Sequence, residues 1–156
     1  MEIVNLGSVV DCFDSEREPL STMERSHRKG IYPYYGANGP IDFIDDFAYE
    51  GEYILLAEDG SVRTKDGHPV LALTKPAERF WVSNHAHVLR PKRGIETRYL
   101  YYVLSSANAD SIVTGAVQPK ISQANLFKLK VIIHSREEQR HIVDATRRPT
   151  HANEAQ

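Results

Sequence analysis

The apolar pattern of this chain changes its period part-way along, and that change limits the folds open to it. Before Ile95 the apolar residues come in short runs cut by turn formers. Ile31-Tyr32-Pro33-Tyr34-Tyr35 is rich in aromatics and then meets Gly36-Ala37-Asn38-Gly39-Pro40, a composition that suits a strand followed by a turn. Ile41 to Ile44 and Glu52 to Ala57 read as short strands joined through Asp45-Asp46, with a tight turn at Glu58-Asp59-Gly60. Val70 to Leu73, Phe80 to Val82 and His85 to Leu89 read as further strands. Upstream, Asn5 to Phe13 is a strand or a single helical turn. Asp14 to Gly30, polar and rich in Ser, Glu and Arg, reads as a mobile loop.

After Ile95-Glu96-Thr97, the residues Tyr99, Leu100, Tyr102, Val103 and Leu104 cluster at helical spacing. A short helix is expected over about Asn108 to Val113, stopped by Gly115. Another is expected over Ser122 to Phe127 with Ser122 as N-cap. Lys130 to Ile133 reads as a strand. Ser135 with Glu138 three residues on resembles a capping box. The helix it opens should run to about Thr146 and stop at Pro149, with a frayed tail to Gln156. Strands first and helices later predict an α+β domain. With 156 residues and 41% hydrophobic content, the chain fits one such domain.

The net charge is −2, which argues against a non-specific DNA coat, but the charge is unevenly spread. Residues 1–60 hold 4 Lys/Arg and 13 Asp/Glu; residues 61–156 hold 15 and 8. The second half is therefore expected to build a basic face, of the kind a polyanion binds by releasing counterions. The competing expectation is that folding interleaves the halves and cancels the charge. No apolar run approaches a membrane span, the N-terminus lacks signal-peptide character, and Cys12 is the only cysteine. These features suit a cytoplasmic protein without a disulfide framework.

Candidate chemistry is sparse. His85 and His87, two apart, would share one face of a strand. A third metal ligand is not evident, because Cys12 is alone and His68 lies in a Gly/Pro-containing turn. Glu52, Asp59, Lys65 and Asp66 could form part of a metal-dependent nuclease, but the acids flank turns, where solvated carboxylates are ordinary. No phosphate-binding glycine loop or methyl-donor motif occurs. No catalytic residue, metal or cofactor is expected.

Two segments suit DNA better. Arg79-Phe80-Trp81-Val82-Ser83-Asn84-His85-Ala86-His87-Val88-Leu89-Arg90-Pro91-Lys92-Arg93 mixes cations, aromatics and a side-chain amide. Arg and Lys fit phosphates or guanine edges, and Asn fits adenine. The bland reading is a strand pair with a basic loop. Thr114 to Gln123 is a Gly/Pro-shaped loop holding Gln118, Lys120 and Gln123 beside a helix N-terminus. By itself it could simply connect helices.

Order and identity together go further. Asn5-Leu6-Gly7-Ser8-Val9, Tyr34-Tyr35-Gly36-Ala37-Asn38-Gly39-Pro40-Ile41 and Gly51-Glu52-Tyr53-Ile54-Leu55-Leu56-Ala57-Glu58-Asp59-Gly60 resemble the opening of target recognition domains from the specificity subunits of type I restriction-modification enzymes. Trp81 to Leu89 resembles that family's central aromatic-Asn-His-Ala-His strand. Gly115-Ala116-Val117-Gln118-Pro119-Lys120-Ile121, with Asn125-Leu126, is similar to its Gly-x-x-Gln-Pro loop. Glu137 to Val143 is similar to the start of its long following helix. The likeness covers roughly residues 5–145. Two departures stand out: the helix begins through Ile133-His134-Ser135-Arg136 and not a Pro-Pro or Pro-Leu step, and one domain is present where complete subunits of the family have two.

The resemblance implies a twisted, mainly antiparallel sheet with short helices packed at one side and a C-terminal helix. It implies a recognition domain over 1–134, the start of a spacer helix over 135–148 and a disordered tail over 149–156. It implies sequence-specific binding of one half of a bipartite double-stranded DNA target through the major groove. Separate methylase subunits would modify adenine and a motor-nuclease subunit would cut. A homodimer through the C-terminal helix and a role as a protein-docking module for methylase subunits, as a half-subunit or competitor, are the alternatives to keep. Base readers should lie in loops between the shared blocks. Arg63, Thr64, Lys65, Arg90, Lys92, Arg93, Gln118, Lys120 and Gln123 are the expected DNA contacts, with Ser26-His27-Arg28-Lys29 as a further loop. Gly36, Gly60, His85 and Pro119 are expected to be scaffold.

Overall fold

The computed structural model describes the backbone of residues 1–154 and the side chains of residues 1–146. Ten strands and four α-helices are assigned there. The strands are β1 (Glu2–Asn5), β2 (Val10–Cys12), β3 (Lys29–Gly36), β4 (Gly39–Ile44), β5 (Tyr49–Glu50), β6 (Ile54–Ala57), β7 (Leu71–Leu73), β8 (Arg79–Val82), β9 (Ala86–Pro91) and β10 (Lys130–Ile133). The helices are α1 (Thr22–Ser26), α2 (Thr97–Ser105), α3 (Gln123–Phe127) and α4 (Arg136–Glu154). The class is α+β, as the change of period predicts.

The expected single sheet is divided. A four-stranded sheet runs β2-β9-β6-β7, a second runs β4-β3-β8-β5, and β1 pairs β10 in a ribbon. All these pairings are antiparallel except β3 with β8. The division follows from alternation along β6 and β9. Ile54 and Leu56 enter one core with Leu89, Leu100, Leu104, Ile121 and Leu126, on the side of α2 and α3. Tyr53 and Leu55 enter a second core with Val88, Tyr35, Tyr49 and Phe80. Both faces of the β6–β9 pair are thus buried, which accounts for their nearly unbroken apolar sequence.

The segment Asp14 to Gly30, expected as a mobile loop, is structured. Asp14–Glu16 makes a single 3-10 turn, α1 follows, and β3 already begins at Lys29. The cause is local and tertiary together. Ser21 and Glu24 form a complete capping box. Trp81 Nε1 donates to the Glu18 carbonyl at 2.7 Å, and the Leu20 N–H donates to the Tyr34 hydroxyl at 2.9 Å.

At the other end of the chain, Ser135 Oγ accepts from the Glu138 N–H, as expected for the cap of α4. Gln139 is buried and ties this helix down: its amide donates to the Gly94 and His134 carbonyls and accepts from the Glu96 N–H at 3.0 Å. The helix does not stop at Pro149 but continues to Glu154. Proline removes one i→i−4 bond and leaves those of its neighbours, so it can sit inside a helix at a cost. Of the expected tail over 149–156, residues 155–156 lie outside the described residues. The short helix expected over Asn108 to Val113 is a 3-10 turn at Ala109–Ser111. No helix among the described residues is long and apolar enough to cross a membrane.

Candidate nucleic-acid interface

Three segments meet at the end of the central sheet where β6 finishes and β9 begins. The turn Glu58-Asp59-Gly60 lies between them. The Glu58 N–H donates to the His85 carbonyl at 2.9 Å, and the Ile121 N–H donates to the Glu58 carbonyl at 2.7 Å. The Gly60 N–H reaches the Pro119 carbonyl at 3.3 Å, and Asp59 and Lys120 form an antiparallel bridge. The rim formed by Asn84-His85, Asp59-Gly60 and Gln118-Lys120 is therefore fixed by main-chain bonds. A cavity of about 600 Å³ opens on it, lined by Asp59, Gly60, Val117, Gln118, Pro119 and Lys120.

Gly115 sets the shape of the third segment. Its φ is +85°, in the left-handed region, and a Cβ there would lie 2.5 Å from the Gln118 carbonyl oxygen. Thr114 and Lys120 close the loop with two backbone bonds of 2.8 Å. Val117 at its tip is 93% exposed.

Beneath the rim lies a polar cluster that the sequence reading did not assemble. His87 is buried on β9, with Nδ1 2.6 Å from Asp14 Oδ2 and Nε2 2.6 Å from the Ile121 carbonyl oxygen. Two acceptors on two ring nitrogens require a protonated imidazole donating from both. Burial works against that charge, but the bonds to Asp14 and Ile121 and the nearby Glu58 raise the His87 pKa above its ordinary value. Burial likewise pushes the Asp14 carboxyl up. The His87 and Val88 bonds and the Arg17 charge outweigh it and hold the carboxyl below its ordinary value. Arg17 completes the cluster, 3.0 Å from Glu58 Oε1 and from the Ala86 carbonyl.

Among the described residues, Asp14, Glu58 and His87 form the one group close enough to share a cation. Their donors and acceptors are already engaged with one another, and a doubly donating imidazole has no lone pair for a metal. His85 does not share the His87 face. It precedes β9 in the turn, half exposed, with Nδ1 2.7 Å from Asp59 Oδ1. The acids weighed for a nuclease do not converge. Asp59 pairs with His85, and Asp66 is exposed in the turn after Thr64.

The nine expected DNA contacts fall into separate places. Gln118 and Lys120 lie on the rim. Arg63, Thr64 and Lys65 belong to an adjoining hairpin, in which the Thr64 N–H bonds the His68 carbonyl and Arg63 pairs with Asp110 at 2.6 Å. Arg90, Lys92 and Arg93 lie at the opposite end of β9. Six residues of extended chain separate Lys92 from Ala86, about 20 Å. Arg90 is packed against the protein, with its guanidinium 4.0 Å from the Tyr53 ring centre and close to Gly51, where a Cβ would meet Nη2 at 2.7 Å. Lys92 pairs with Asp11. Gln123 is exposed, with its amide donating to Cys12 Sγ and Asp14 Oδ2. In the further loop, Arg28 pairs with Asp45 and Lys29 with Asp42.

Folding also sets second-half Lys and Arg against first-half carboxylates in two pairs among the described residues, Arg79 with Glu50 and Lys92 with Asp11. These two pairs offset only a small part of the sequence asymmetry. Lys65, Arg93 and Lys120 carry no ion pair among the described residues.

Residues 1–148 match the family model described as the type I restriction modification DNA specificity domain. Over 128 residues the chain is 32% identical to S.HindORF215P of Haemophilus influenzae, named as a type I restriction enzyme specificity subunit. That match covers 82% of this chain and 32% of the relative. Over 120 residues it is 24% identical to the EcoprrI specificity subunit of Escherichia coli, covering 77% of this chain and 28% of that one. The fold is similar to the crystal structure of the S subunit from M. genitalium, with a TM-score of 0.72, 16% identity, and 92% and 37% of the two chains covered. The HsdS subunit of Thermoanaerobacter tengcongensis gives a TM-score of 0.59 at 19% identity, with 99% and 38% covered. The chain spans about a third of the length of these relatives.

Proposed function

The chain belongs to the type I restriction modification DNA specificity domain family, and from that premise we propose that it reads one half of a bipartite DNA target for a type I restriction-modification complex. It carries no catalytic step. Adenine methylation and cleavage fall to methylase and motor-nuclease subunits with which it assembles.

The observation that carries this reading is the main-chain-bonded rim. Asn84 and His85 on one segment, and Gln118 and Lys120 on another, are exposed, and the backbones of both segments are bonded to the turn that follows β6. Amide, imidazole and ammonium groups held in that way can hydrogen-bond base edges and phosphates with little ordering cost on binding. Lys120 and Lys65 would supply the backbone attraction. Arg63 and Thr64 flank the rim, whereas Arg90 packs on Tyr53 and the Gln123 amide is engaged with Cys12 and Asp14.

One observation favours a second reading, a surface for protein docking. The β3–β4 hairpin exposes Ile31, Ile41 and Phe43, and an open groove of about 540 Å³ is lined by Pro33, Tyr35, Pro40, Phe43 and Ala77, with Lys75 and Glu78 at it. Such an apolar face fits a protein better than a nucleic acid.

Mobility-shift selection over random duplex pools separates the two. The DNA-reading function predicts enrichment of a short motif and a steep fall of affinity with salt. Methylase binding with no enriched motif supports docking instead, and magnesium-dependent cleavage by the purified chain overturns both.

A further inference from the structure

Asp59 and His85 form an exposed pair on the rim, with the side chains 38% and 53% exposed. The positions of both are fixed. The His85 carbonyl is bonded by the Glu58 N–H, and its own N–H donates to Ser83 Oγ at 3.2 Å. Asp59 is bridged to Lys120 through the backbone. The carboxylate takes the Nδ1 proton, which fixes the tautomer and points Nε2 away from Asp59. Among the described residues no group bonds Nε2. An imidazole oriented in this way presents one solvent-facing nitrogen, in a fixed direction, to whatever docks on the rim.

His85 lies in a block shared with the family and from sequence is expected to be scaffold, but its side chain is exposed; we propose that, oriented by Asp59, it contacts a base edge of the DNA target and helps determine specificity at one base pair. The proposal rests on the DNA-reading function above. The choice of base over phosphate follows from charge. The Asp59 carboxylate offsets any positive charge on the ring, so the pair offers a phosphate little net attraction, whereas a base edge is neutral and needs none. In the neutral ring Nε2 accepts, which suits the amino group of adenine or cytosine in the major groove; in the charged ring it donates, which suits the acceptors of guanine. Asp59 is a positioning residue that acts through His85.

The test is duplex selection with the full chain and its His85→Ala, Asp59→Ala and Asp59→Asn variants, with thermal melting as a folding control. Wild type enriches a motif. His85→Ala loses about tenfold of the preference at one position and keeps the others, with the melting temperature unchanged. Asp59→Ala loses preference at that same position. Asp59→Asn, whose carbonyl can still accept the Nδ1 proton, retains it. A His85→Ala variant that keeps every preference, or that weakens all sequences alike as a phosphate contact would, overturns this inference alone. If wild type enriches no motif, both this inference and the function it rests on are overturned.

Discussion

Asp14 Oδ2 stands 2.6 Å from His87 Nδ1 beneath the rim, joining a 3-10 turn near the N-terminus to the central strand β9. The pH dependence of the pair follows from the two shifts. His87 is raised, so its contribution to stability is complete below the ordinary histidine value and is lost as pH rises through the raised value. Asp14 is lowered, so its contribution is complete above the ordinary carboxylate value and is lost as pH falls through the lowered one. Both are complete between about pH 4 and 6.5. His87→Gln should cost about 1.5–3 kcal/mol near pH 6, because it removes the charged partner of Asp14 and leaves it the Val88 and Gln123 bonds and Arg17. Urea unfolding near pH 6 and again at about pH 9 checks this: the gap between wild type and variant should narrow at the higher pH.

Lys120 lies on the rim without an ion pair among the described residues. Lys120→Ala should weaken binding to all duplexes alike and reduce the slope of log affinity against log salt by about one. A salt titration of wild type and variant against matched and unmatched duplexes reads this directly.

Gly115→Ala must place a methyl group against the Gln118 carbonyl at a φ of +85°. The expected cost is about 1–3 kcal/mol. Amide chemical-shift changes should be concentrated in residues 113–121, with weaker sequence preference.

Phe80 is fully buried in the second core, stacked on Tyr49 at 5.3 Å and edge-on to Tyr35 and Tyr53. Phe80→Ala should destabilise by about 3–5 kcal/mol, measured by denaturant unfolding. The loss should be independent of DNA.

Burial, followed by the negative charge of Asp14, pushes the Cys12 thiol up to about 11 from 9.0. The thiolate fraction at neutral pH falls about a hundredfold, and alkylation should slow in proportion until the protein is unfolded. Timed iodoacetamide labelling, native against denatured, checks it.

Much of the fold was legible because its signals are local. The period change at Ile95, the Ser122 cap and the strands at Ile54 and Val88 each depend on neighbouring residues. The capping box at Ser21 and Glu24 was equally local, yet polar composition around it suggested a loop. The division into two sheets was not legible, since it depends on which face of β6 meets which partner. For the site, Gln118 and Lys120 stand out by their loop, and the structure places them on the rim. Arg90 and Gln123 look alike as contacts in sequence, but only the fold shows one against Tyr53 and the other against Cys12. Asp14 and His87 lie 73 positions apart, and no spacing rule joins them.

The rim is held by amide-to-carbonyl bonds between Glu58, His85, Pro119 and Ile121, and such bonds do not depend on which side chains those backbones carry. Substitution at Asn84, Gln118 or Lys120 therefore leaves the supporting lattice intact. On the proposed DNA-reading function, the domain can acquire a new sequence preference by exchanging a few surface groups, without first having to be stabilised against the change.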